Sequence, residues 1–73
     1  MDINVITHYY ADDTDCYGDY AAVSIEIDGI EIIQFGDHYH DKGREQAEGF
    51  IYACKHFHPS CIVTYRKIAD YNG

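Results

Sequence analysis

Tyr20-Ala-Ala-Val-Ser-Ile-Glu-Ile-Asp-Gly-Ile-Glu-Ile-Ile-Gln-Phe35 is the stretch whose reading decides the fold. Its first half alternates, with Ala21, Val23, Ile25 and Ile27 on one side and Tyr20, Ala22, Ser24 and Glu26 on the other. That is the period of a strand with one buried face. Asp28-Gly29 then separates two apolar runs and suits a type I′ turn, in which both central residues need positive φ. The return strand is Ile30 to Phe35. A two-residue loop fixes the register: Ile27 faces Ile30, Ile25 faces Ile32 and Val23 faces Gln34 on the core side. On the other side Glu26 meets Glu31, Ser24 meets Ile33, Ala22 meets Phe35 and Tyr20 meets Asp37. Two carboxylates directly opposite each other destabilise a sheet. Tyr20, Ile33 and Phe35 are left on an outer face, ringed by Glu26, Glu31 and Asp37, the pattern of an interface core with a charged rim.

Upstream, Ile3 to Ala11 is rich in β-branched and aromatic residues and ends in Asp12-Asp13-Thr14-Asp15, a run with loop chemistry. Downstream, Asp41 suits a helix N-cap, and Ala47, Phe50, Ile51, Cys54 and Phe57 recur at the spacing of an amphipathic helix. Arg44 and Glu48 lie one turn apart on its solvent side. Gly43 and Gly49 weaken this helix by roughly 1 kcal/mol each relative to Ala, so packing must hold it. Pro59 stops it, and a last strand opens at Cys61. The pattern predicts one α+β domain over residues 1–73, in the order βββαβ. Its antiparallel sheet comprises strands 3–11, 20–27, 30–35 and 61–68, with a helix over 42–57 packed on one face.

At 73 residues the chain buries a small core, which excludes a two-domain enzyme with an interdomain cleft. A hydrophobic content of 47 % sets it apart from disordered acidic tails. No run approaches the roughly 18 apolar residues of a membrane span, and the first residues lack the features of a signal peptide, so the expected location is the cytoplasm of a host cell. The three cysteines, Cys16, Cys54 and Cys61, form no disulfide framework and are expected as thiols. Charge is one-sided. Residues 1–41 hold ten acids and no Lys or Arg, whereas residues 42–73 hold three acids and five bases. This balance argues against direct binding of nucleic acid or an anionic membrane.

Few constellations carry chemistry. His38, His40, His56 and His58 with the cysteines lack the paired ligand spacing of a zinc site, so the expectation is no stoichiometric zinc and no cofactor. Asp12, Asp13, Asp15 and Asp19 lack the Gly and bidentate Glu of a calcium-binding EF-hand loop. Glu26 and Glu31 have equivalent surroundings and cannot divide acid and base roles. Cys16 stands among acids that disfavour its thiolate, and no glycine-rich phosphate loop occurs. The expectation is a protein without catalytic activity. Eight tyrosines remain, and Tyr17, Tyr20 and Tyr39 are interleaved with aspartates, a composition suited to docking on a basic groove.

Ile-Thr-His at residues 6–8, Ala-Glu-Gly at 47–49 and Val-Thr-Tyr at 63–65, in the order βββαβ, resemble the first half of a ribonuclease H fold. In that family metal-binding carboxylates stand on the first strand, the first helix and the end of the fourth strand. Glu48 matches the helix position, but His8 and Tyr65 occupy the strand positions, so the resemblance implies topology and no nuclease activity. In overall character the chain is also similar to small acidic phage-encoded inhibitors, among them anti-CRISPR proteins and nucleic-acid mimics. That likeness implies a partner with a basic surface: a CRISPR effector, a restriction enzyme or a repair enzyme of the host. Asp12, Asp13, Asp15, Asp19, Tyr20, Glu26, Glu31, Ile33, Phe35 and Asp37 are the expected partner-binding residues. The alternative is an interaction module or homodimer without inhibitory role, joined through the Ile33/Phe35 face or an edge strand.

Overall fold

The computed structural model describes residues 1–10, 20–36 and 42–71, apart from the side chains of Tyr20, Ala21, Lys42 and Tyr71. Along the chain come β1 (Asp2–Tyr10), β2 (Tyr20–Ile27), β3 (Ile30–Phe35), α1 (Lys42–Phe57) and β4 (Ile62–Tyr71). The strands form one sheet in the order β3-β2-β1-β4, an α+β fold. The Asp28-Gly29 turn has φ of 52° and 86°, the doubly positive backbone that a type I′ hairpin demands. Asp28 also ties the turn to β1: its carboxylate Oδ1 accepts the Asp2 amide at 2.9 Å, and its own amide donates to the Asp2 carbonyl at 2.8 Å.

The sheet is mixed rather than purely antiparallel. β1 pairs antiparallel with β2, but β4 pairs parallel with β1, from Asp2 beside Ile62 to His8 beside Ile68. The reason lies in α1, which carries the chain back along the sheet so that β4 starts at the same end as β1.

The hairpin register also departs from the straight one. Ile27 pairs with Ile30 and Glu26 with Glu31 as expected, after which the register shifts and Ile25 pairs with Ile33, Ser24 with Gln34 and Val23 with Phe35. Ile32 is the extra residue of a β-bulge, and one extra residue moves every later side chain to the opposite face. Ile33 and Phe35, expected on an outer face, therefore pack against the core. Phe35 meets Phe50 edge-on, with ring centroids 6.4 Å apart. Ile30 and Ile32, expected inside, are 69 % and 48 % exposed. The bulge removes Gln34 from the core side, where its amide would have lacked partners, and puts two large apolar groups there instead.

The core itself is formed by Ile3, Val5 and Tyr9 of β1, Val23 and Ile25 of β2, and Ala47 and Ile51 of α1. Helix spacing brings Ala47, Phe50, Ile51 and Cys54 onto the sheet, whereas Phe57, also on the expected stripe, is exposed. α1 lies over β2 and β3. On the sheet face away from α1, Ile6, Ala22 and Ser24 are buried. Among the described residues no helix is long and apolar enough to cross a membrane.

Candidate functional site

Of the expected partner-binding residues, Asp12, Asp13, Asp15, Asp19 and Asp37 lie outside the described residues, as does the side chain of Tyr20. Glu26 and Glu31 are brought together, directly opposite each other one step from the turn. Ile33 and Phe35 are not part of that surface, because the bulge turns them toward α1. Exposed Ile30 and Ile32 are the chain neighbours of Glu31 in the edge strand β3, and Ile30, paired with Ile27, lies on the α1 side of the sheet, the face opposite the carboxylates.

The turn adds two further acids. Asp28 occupies its first central position, and Asp2 is held against it by the two hydrogen bonds already described, one to the Asp28 carboxylate and one from its amide. One end of the sheet thus gathers Asp2, Glu26, Asp28 and Glu31, with exposed Ile30 and Ile32 on the same edge strand. Glu26 and Glu31 have no ion-pair partner among the described residues. Like charges across a strand pair cost up to about 1 kcal/mol, a local penalty with no compensating cation here. The hairpin was legible from Asp28-Gly29, but the exposure of Ile32 was missed because only a bulge produces it; Ile30 keeps its expected partner Ile27 and is exposed beside the turn.

A second polar feature was invisible to sequence reasoning. On the sheet face away from α1, His8 bridges three strands: Nδ1 lies 2.8 Å from Asp70 Oδ1 and Nε2 lies 2.8 Å from Ser24 Oγ. An ionised carboxylate only accepts, so Nδ1–H donates to Asp70, and in the neutral ring Nε2 accepts the Ser24 hydroxyl proton. This is the order of an acid–base–nucleophile relay. Ser24 is only 2 % exposed, however, in the middle of a strand, so no substrate carbonyl can approach its hydroxyl in this conformation. The relay satisfies a buried polar group.

Cys54 and Cys61 are free thiols at the edge of the core. Burial, reinforced by the neighbouring Cys61, pushes the Cys54 thiol above its ordinary pKa, which disfavours the reactive thiolate. Among the described residues no three His, Cys, Asp or Glu side chains converge as a metal site; His38 and His40 lie outside them. Compared with protein-family models, curated proteins and solved structures, the chain matches none.

Proposed function

We propose that the chain is a small binding protein whose acidic hairpin end docks on a basic nucleic-acid groove of a nucleic-acid-handling protein, as an anti-defence inhibitor acting in a host cytoplasm. The observation that carries this reading is the Glu26/Glu31 pair, without a compensating cation among the described residues, close to Asp2 and Asp28 and on the same edge of the sheet as exposed Ile30 and Ile32. Carboxylates on a rigid hairpin stand where phosphates would, and the two isoleucines supply the apolar contact that distinguishes an interface from a merely solvated face. Complementary charge would also raise the on-rate at low salt.

The test is binding to a panel of purified CRISPR effectors, restriction enzymes and repair enzymes across a salt series. The reading expects at least one partner, held more weakly as salt rises and lost on reversing Glu26 and Glu31 together. Binding that ignores both salt and charge reversal contradicts it. The exposed isoleucines on an unpaired edge strand also favour a second reading, a homodimer through β3. Sedimentation separates the two: a dimer that Ile32→Lys dissociates, with no panel member bound, supports the second.

A further inference from the structure

The sheet offers a second surface, far from the hairpin end and opposite in charge. The chain passes from β1 to β2 and β3 on one side, then crosses by α1 to β4 on the other, so the strand order reverses between β1 and β4. Among the described residues α1 lies over β2 and β3 and leaves the neighbouring floor uncovered, and a cleft of about 400 Å³ occupies that place. Its size falls in the lower part of the range of about 300–1,000 Å³ typical of small-molecule sites.

The lining is specific in chemistry. Val5 and Thr7 form the floor together with Tyr65 and Lys67, their partners in β4. Arg44 and Glu48, expected to face solvent, form the wall with Ala47 and Ile51, the i, i+3, i+4, i+7 stripe of one helix face. Arg44 Nη2 donates to the hydroxyl of buried Tyr9 at 3.2 Å, which anchors the guanidinium at the cleft. Lys67 has no ion-pair partner among the described residues. Tyr65 presents an exposed ring. Three of the five Lys and Arg residues of a chain with net charge −8, Arg44, Arg66 and Lys67, thus line one cleft.

We propose that this cleft binds a small aromatic carboxylate, its ring laid on Tyr65 and its acid group set against Lys67 and Arg44. Cation and ring together select an anion with a flat apolar body. Glu48 on the same wall disfavours a second negative charge, so a monoanion fits where a phosphate monoester, carrying about −1.5 to −2, does not. The site is independent of the acidic hairpin.

Titration of the isotope-labelled protein with indole-3-carboxylate, benzoate and uridine monophosphate, followed by amide NMR shifts, tests the assignment. The expected result is saturable shifts at Thr7, Tyr65 and Lys67 for the carboxylates, with Kd of about 0.1–1 mM. Lys67→Glu should weaken them by about tenfold, with the rest of the spectrum unchanged because the residue is exposed on an edge strand. Tyr65→Ala should weaken the indole more than the benzoate. Absence of saturable shifts, shifts that survive Lys67→Glu, or tighter binding of the nucleotide would each overturn the assignment. So would concentration-dependent broadening of these amides without ligand that Lys67→Glu abolishes, since a second copy would then fill the cleft.

Discussion

A hydroxyl buried in the middle of a strand must find a partner, and for Ser24 that partner is His8, itself 20 % exposed in its side chain and oriented by Asp70. Replacing His8 by Ala strips the Ser24 hydroxyl of its acceptor without removing it, and should cost about 1–3 kcal/mol in urea unfolding. The double variant with Ser24→Ala should be less destabilised than the two single changes together, a coupling of about 0.5–3 kcal/mol. Strict additivity would mean the two side chains do not share a bond. Cys54 offers a second check at this scale. Its raised pKa keeps the thiol protonated near neutral pH, so iodoacetamide should modify it more slowly in the native protein than in the urea-unfolded chain, as mass spectrometry of quenched samples would show. Equal rates would place Cys54 in solvent rather than against the core.

The β2–β3 hairpin is the element on which the reading turns. With Phe35 packed on Phe50, Phe35→Ala should destabilise by about 2–4 kcal/mol, whereas Ile32→Ala at the bulge should cost under about 1 kcal/mol. The reverse order would restore the straight register. Gly29→Ala forces a Cβ into φ of 86° and should cost about 1–2 kcal/mol, although no neighbouring atom crowds it. The strands, the turn and the helix are legible in local patterns, because alternation, Asp28-Gly29 and the Ala47/Phe50/Ile51/Cys54 stripe each act within a few residues. The Glu26/Glu31 pair is legible too, as it lies on the turn side of the bulge. Beyond it local pattern fails, since Ile32 and Ile33 are chemically identical and only burial under α1 chooses between them. The signal was Gln34, which a straight register sets against Val23 in the core. The direction of β4 follows from the helical crossover, and the His8–Asp70 contact joins residues 62 apart, so neither has a local signature.

At the scale of the whole molecule, the charge asymmetry of the sequence becomes a spatial one in the described residues. Asp2, Glu26, Asp28 and Glu31 gather at the hairpin end, while Arg44 and Lys67 face the cleft toward the other ends of β1 and β4. A carboxylate pair that only weakens the monomer is accounted for if a cationic partner relieves it, so stability and binding should respond to its removal in opposite directions. Glu26→Lys turns the like pair into an opposite one and should stabilise the fold by about 0.2–1 kcal/mol. The most direct measurement compares the wild type and Glu26→Lys in displacing DNA from a panel of CRISPR effectors, restriction enzymes and repair enzymes, with urea unfolding alongside. The account predicts that the wild type displaces DNA from at least one member and that the more stable variant does not. Failure of the wild type against every member, or equal displacement by the variant, would contradict it.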